Sequence, residues 1–547
     1  MSNPCRHLIA RLLLLTLLIA LTAPAVVSHA ATPLSPLRGG TLVDGLLVDP
    51  DSLLPNFSRS FYSLLVQQVL FAPLLYSDDH GIIQPGLASN VPTLQNGGIS
   101  QDGRTYIFHL RPGLLWSDGT PLTARDVDFS WRLWTTNNVN AASTLGFDRI
   151  GAATISVDGL TITFRLVQPY APFLSDWTDT PGILPVHKLG QLATKDVAGS
   201  IFAQAPNVNS GPFMLSDVSK GDHITVVRNP HYYRAAEGFP YLDEIIFRTI
   251  PNQTHMLNAL RTHKVDTAWL LPITSLGALR GMRNVTLLAL DNASWEAAFL
   301  NLRHPVFQDL RVRLALEYGL NRNAEVQNIW HGLATLIGSD QPPSSPVYAS
   351  DVTAYPYNPR LASTLLEQAG WHLGADGYRH KGNQILSLTY SSTFNNPWRQ
   401  ADEVQALSDY ERLGIQLVIR NYPAAIFANQ ILPSGAFDLA EYVVNNVLDP
   451  DNTALFGTRF SAPAGYNYCG YSNPEFDRLA GLEVSTVDPI QRLGIFHRLQ
   501  QILHNDLPAL WLYSPKNLAA ANKRVHNYHP SPYSLETWNA WQWYVAG

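Results

Sequence analysis

Cysteine is nearly absent: the 547 residues hold only Cys5 and Cys469. Cys5 precedes an apolar N-terminal segment and is lost if that segment is removed. Cys469 then stands alone, so an internal disulfide and a zinc site built on cysteine pairs are both excluded. Charge is sparse as well, with 15% Asp, Glu, Lys and Arg and a net charge of −6. There is no basic footprint, and no nucleic-acid partner is expected. Beyond the N-terminus no stretch approaches the ~18 apolar residues of a membrane helix, so the mature protein is expected to be soluble. No G-x-x-x-x-G-K-[ST], H-E-x-x-H or G-x-S-x-G occurs, which removes the common phosphate-loop, zinc-protease and serine-hydrolase signatures. The 17 histidines are scattered, and His526 and His529 in the proline-rich tail read as surface polar residues. Asp449 and Asp451 flank Pro450 and read as a turn before a helix starting at Asn452, rather than as an acid/base pair. No catalytic residue, metal or cofactor is expected.

What is present begins with an export signal. Arg6 and Arg11 precede the apolar run Leu12–Leu21, and Ser28-His29-Ala30 forms a small-x-small step before Ala31. Residues 1–30 are therefore read as a cleaved signal peptide, with an uncleaved anchor as the alternative. No cysteine follows the apolar run to carry a lipid. With 46% hydrophobic residues, the chain is long enough for roughly two to four domains around large cores. Aromatics reach 10%, with 13 Trp and 23 Tyr, which suits a carbohydrate or peptide binder as well as a large core.

The most informative stretch runs from Thr105 to Trp134. Tyr106, Phe108 and Leu110 alternate with Ile107, His109 and Arg111, the period of a strand with one buried face. Pro112-Gly113 and Ser117 to Pro121 supply turn chemistry around Leu114-Leu115-Trp116. Thr123 stands at an N-cap position with Asp126 three residues on, and Val127, Trp131 and Trp134 fall on one helical stripe. Elsewhere the pattern predicts a helix over 60–75, a strand pair around Ile155 and Thr161–Leu166 joined at Asp158-Gly159, a helix over 254–263 and strands at 298–301, 386–390 and 414–420.

Thr105–Trp134 closely resembles the signature of the extracellular solute-binding proteins that serve peptide-type ABC importers, the oligopeptide, dipeptide and nickel class. Nearly every element of that signature stands in the chain, from Tyr106-x-Phe108-x-Leu110-Arg111 to Trp116-Ser117-Asp118-Gly119-Thr120-Pro121 and Asp126-Val127. Tyr466–Asp477, Asp309–Arg313 and Ser210–Leu215 resemble further family segments in the expected order. The resemblance implies an α/β, two-lobed periplasmic-binding-protein-like fold of type II, with an extra small domain, mixed sheets and a hinge between the lobes. It places a discontinuous first domain at 39–75, 182–289 and 515–547, a small second domain at 76–181, and a third at 290–514. The lobes are expected to join near Pro73–Ser77 and 180–184.

The same resemblance implies a ligand site. Arg59, Ser60 and Phe61 match the first-domain segment ahead of the first helix. Trp398 matches a pocket-facing position, and Tyr442, Val443, Val444, Asn445 and Asn446 match the segment before Asp449-Pro450. Asn446 stands where peptide-binding members carry an Asp that pairs with the ligand's α-ammonium. That departure favours a solute without a required free ammonium and makes Asn446→Asp a substitution expected to raise affinity for free peptides. The implied function is an extracellular receptor that captures a peptide or other small solute and delivers it to ABC permease subunits in the membrane. It is expected to be an exported monomer and not an enzyme. The alternatives are an uncharged oligosaccharide or other non-peptide solute, a sensor in place of the permease, and a secreted hydrolase. N-terminal sequencing of the exported protein is expected to start near Ala31. An intact Met1 on membrane-bound material would contradict cleavage.

Overall fold

The computed structural model describes residues 36–178 and 181–546. The export segment read at 1–30 lies outside the described residues. Strand Thr41–Leu46 forms the middle of a seven-stranded mixed sheet. It lies parallel to both Glu244–Thr249 and Thr267–Leu271. His223–Arg228 and Phe213–Ser219 extend one side. On the other side the late strand Asn517–Asn522 inserts antiparallel between Thr267–Leu271 and Val285–Leu290. The sheet thus needs both ends of the chain before it is complete.

A small sheet, Thr105–His109, Thr161–Leu166 and Ile150–Ile155, lies beside it. As the alternation predicts, Tyr106 and Phe108 are buried and His109 is exposed. Phe108, Phe164 and Phe173 gather on Trp177, with Phe164 stacked on its ring at 5.2 Å. Such pairs contribute about 0.5–1.5 kcal/mol each beyond simple burial. Helix Ala124–Thr135 starts as expected: the Asp126 carboxylate accepts the Thr123 amide at 2.9 Å while Thr123 Oγ1 accepts from the first turn. Asp126 also accepts the Val186 amide at 3.1 Å, so one capping residue fastens a second segment. Asp118 accepts the Thr120 amide and faces His187 and Lys188, which makes it a turn-and-tether residue.

The helix predicted over 60–75 spans only Phe61–Leu70. The Leu70 carbonyl accepts the amides of Ser210 and Gly211 instead of continuing the helix, and Pro73 has no amide to offer. A Cβ on Gly211 would lie 2.3 Å from the Val69 carbonyl oxygen, so glycine permits this approach. The helix docks on the tail: Thr537 Oγ1 donates to the Leu65 carbonyl and Gln68 Nε2 to that of Ser534.

The second large sheet has six strands, Ala334–Leu336, Ala509–Pro515, Ser294–Leu300, Leu439–Asn445, Ser387–Thr393 and Gln416–Tyr422. Its core, around Trp295, Phe299, Tyr410 and Trp511, is separate from the core that the first sheet shares with the small sheet. The chain passes between the two large sheets at Asp291–Ala293 and again at Lys516. This corrects the expected crossings. Leu75–Ser77 pairs with Ile83–Pro85 and the Ile183 amide donates to the Ala72 carbonyl, so both segments stay within the first core. Side chains stitch the true crossings together. Lys516 pairs with Asp291, Asn292 Nδ2 donates to Asn517 Oδ1 at 3.2 Å, and Ser514 Oγ donates to the Ser294 carbonyl at 2.7 Å.

Two fully buried carboxyls, Asp44 and Glu536, tie the tail to the central strand. Thr267 donates to Asp44 at 2.7 Å and the Tyr528 hydroxyl donates to Glu536. Burial pushes Asp44 up to about 7 and, with Asp44 beside it, Glu536 well above its ordinary range. A raised folded-state carboxyl stabilises fully below its unfolded pKa of about 4, and that contribution drains away as pH rises through the folded value. The pair should therefore withdraw a few kcal/mol between about pH 4 and pH 7 or somewhat above. In Glu536→Gln an amide faces Asp44, and thermal melts at pH 5 and pH 8 should show a smaller drop in Tm than in wild type. An equal drop would remove the pair from this role.

Candidate binding cleft

A cavity of about 360 Å3 opens where the two large sheets meet. The first sheet contributes the end of its strand Thr267–Leu271, the crossings contribute Asn292–Ser294 and Pro515–Asn517, and the second sheet contributes Glu296, Val443 and Asn445. Glu296 pairs in register with Val443, and Ser294 with Asn445, so these four side chains point from one face. Aromatic walls flank them. Phe61 meets Trp269 edge-on at 6.4 Å, and Trp330 meets Trp398 at 6.0 Å. A register shift between Ala268 and Leu271 leaves Leu270 at φ 53°. A leucine held there costs about 1–2 kcal/mol, and the bulge brings both Trp269 and Leu270 to the cleft.

One ion pair sits in the wall. Arg399 reaches Glu296 from Nη2 at 3.0 Å and from Nε at 3.3 Å, and Nη1 donates to Thr393 at 3.1 Å. Both partners are buried. Burial pushes Glu296 up, and the forked Arg399 guanidinium opposes that rise. Behind it lie Glu441 and Asp402, fully enclosed, which take the hydroxyls of Tyr390 and Tyr513. Burial pushes Asp402 up to about 7 and Glu441 well above its ordinary range. Tyrosine hydroxyls, rather than further cations, face this inner layer.

Within the strand Leu439–Asn445 the sequence-predicted residues divide by parity, and Asn446 lies just past its end. Phe61, Trp398, Val443, Asn445 and Asn446 line the cavity. Tyr442 and Val444 point to the opposite face, where Tyr442 stacks on Phe299 at 4.3 Å and Val444 packs on the second core. Arg59 binds the Ala142 carbonyl through Nε at 2.8 Å, which fastens the small domain. Ser60 is the helix N-cap, and its amide donates to Ser58. Neither Arg59 nor Ser60 borders the cavity. Sequence reading missed Trp269, Leu270, Trp330, Glu296 and Arg399. Glu296 did carry a signal, as a lone acid in the apolar strand Ser294–Leu300, flanked by Trp295 and two alanines. The bulge at Leu270 left none.

Asp451 serves the helix start at Asn452 as read, while Asp449 has an ion-pair role that the sequence reading did not include. Asp449 pairs with Arg492 and Asp451 accepts the Thr453 amide at 2.8 Å. Among the described residues no helix is long and apolar enough to cross a membrane.

Comparison with known proteins bears on this cleft. The family described as bacterial extracellular solute-binding proteins, family 5 (middle), matches residues 83–466. The chain is 25% identical to the oligopeptide-binding protein AppA of Bacillus subtilis over 512 residues, covering 92% of each chain. It is 25% identical to the dipeptide-binding protein of Escherichia coli, covering 82% of this chain and 84% of that one. In structure it resembles HbpA2 from Haemophilus parasuis, with TM-score 0.81 and 21% identity over 93% of this chain and all of the other.

Asn446 lines the cavity with its amide already committed. Oδ1 accepts from Trp295 Nε1 at 3.1 Å and from Asn452 at 3.2 Å, while Nδ2 donates to Gln341 Oε1 at 3.0 Å. Behind it Asp340 is enclosed, and burial pushes its carboxyl up to about 6. A carboxylate at 446 would lose the donor and face a second acid. Asn446→Asp, expected from the sequence to raise affinity for free peptides, should therefore also cost about 1–3 kcal/mol of stability. Urea unfolding of the variant checks this, and an unchanged midpoint would contradict it.

Proposed function

Because the chain belongs to the bacterial extracellular solute-binding proteins of family 5, we propose that it is the exported receptor of an ABC importer. In this reading it captures peptides or peptide-like solutes in the cleft and hands them to membrane permease subunits. The carrying observation is the placement of the cavity at both crossings between the lobes. A solute bound there touches both lobes, so its binding energy favours the closed arrangement. The relatives' names, oligopeptide- and dipeptide-binding protein, support the solute class.

An extended chain has backbone to meet. Strand Leu439–Asn445 pairs with Ser387–Thr393 only at Leu439 and Ala440. From Glu441 to Asn445 that edge has no strand partner, which suits main-chain recognition of a peptide. The aromatic walls then take apolar side chains with little selectivity. The family's role is capture rather than turnover, and we read this member in the same way: an exported monomer, released by signal cleavage and without a lipidated cysteine.

The experiment is native mass spectrometry of the exported protein, followed by calorimetric titration with what co-purifies. Peptides or acylated peptides are expected, and Trp269→Ala should weaken their binding about tenfold. Co-purification of saccharide alone, with no heat from any peptide, would overturn the reading.

A further inference from the structure

The side chains of the cleft wall are rich in donors and poor in acceptors. Among the described residues the only lining carboxylate, Glu296, is held by the Arg399 fork. The lining amide oxygens are engaged as well. Asn445 Oδ1 accepts the Ser294 hydroxyl at 2.6 Å, Asn292 Oδ1 accepts the Ser294 amide at 3.1 Å, and Asn517 Oδ1 accepts from Asn292. Asn446 Oδ1 already accepts from Trp295 and Asn452. The acceptors left on these lining side chains are second lone pairs and the Ser294 hydroxyl, all uncharged. On the donor side, Asn445 Nδ2 and Asn517 Nδ2 carry no protein partner, Arg399 Nη1 keeps an N–H beyond its bond to Thr393, and Lys516 adds an ammonium held by Asp291. With Arg399 paired to Glu296 and Lys516 paired to Asp291, the lining side chains offer an incoming cation no uncompensated negative charge. The inner carboxyls do not reverse this, because Glu441 and Asp402 sit behind Glu296, enclosed and out of a solute's reach.

We propose that the solute of this cleft is a peptide-like molecule without a free α-ammonium, its amino end acylated or cyclised, presenting carbonyl oxygens to Asn445, Asn517 and Arg399. An ammonium brought here would lose its water and meet no free carboxylate, which is the costly case for a charge. An acyl carbonyl meets donors that need one. The specificity element is Arg399, a positioning residue that keeps Glu296 occupied. The proposal rests on the peptide-receptor reading and narrows it.

The test is calorimetry of the exported full chain with an Ala-Leu-Phe-Leu tetrapeptide and its N-acetylated twin. The twin is expected to bind at least about tenfold more tightly. Two variants should move this ratio in opposite directions. Arg399→Met frees Glu296 and should lower the preference several-fold or invert it. Glu296→Gln leaves an uncompensated guanidinium and should raise it. Equal binding of the twins, or tighter binding of the free peptide, overturns the inference while leaving the receptor reading intact. If neither twin binds and co-purified material contains no peptide, the receptor reading fails and takes the inference with it. If one variant fails to fold, the wild-type ratio and the other variant still decide the matter.

Discussion

The two lobes are held together by two passages of the chain, at Asp291–Ala293 and at Lys516. Everything at the cleft depends on that constraint. The passages run side by side and are stitched by Lys516–Asp291, Asn292–Asn517 and Ser514. A short, laterally bonded pair of strands bends more readily about one axis than about others, which is what a hinge requires. The same residues form part of the cavity wall, so the bend and the binding site share atoms. Binding can therefore act on closure directly, with no relay through the rest of the fold.

The second feature of note is how much acid is buried near the cleft without matching cation. Glu296 has Arg399, while Glu441 and Asp402 have tyrosine hydroxyls. Ionised carboxylates in such surroundings would cost several kcal/mol each. Retaining protons avoids this penalty and leaves directional hydrogen bonds that fix the strands under the cleft. The Asn446 nest does similar work with amides, joining Trp295, Gln341 and Asn452 at the mouth of Leu439–Asn445.

Much of the fold was legible because its local rules are strong. Alternation placed Tyr106 and Phe108 inside, and a threonine with an aspartate three residues on marked the helix start at Ala124. The two-lobed architecture followed from the order of motifs along the chain. The crossings were expected at Pro73–Ser77 and 180–184, the bounds of the small domain, but the small domain shares one core with the first sheet, and which cores merge is decided by long-range packing that local patterns do not carry. At the site, the segment 442–446 was found but not its parity, so Tyr442 and Val444 were included although they face the second core. Trp269 and Leu270 depend on a bulge at a non-glycine residue, and Arg399 on a partner about a hundred residues away. Neither leaves a periodic trace.

A solute that closes the lobes by seating against the two crossings and the free edge of the strand Leu439–Asn445 would protect all of these segments at once. Hydrogen–deuterium exchange of the exported protein, with and without its co-purifying solute, tests this most directly. Slowed exchange is expected at the amides of 269–271, 273, 292–294, 441–446, 516 and 517 together, with the small-sheet strands Thr105–His109 and Thr161–Leu166 unchanged. Protection confined to one lobe, or absent from the crossings, would contradict it.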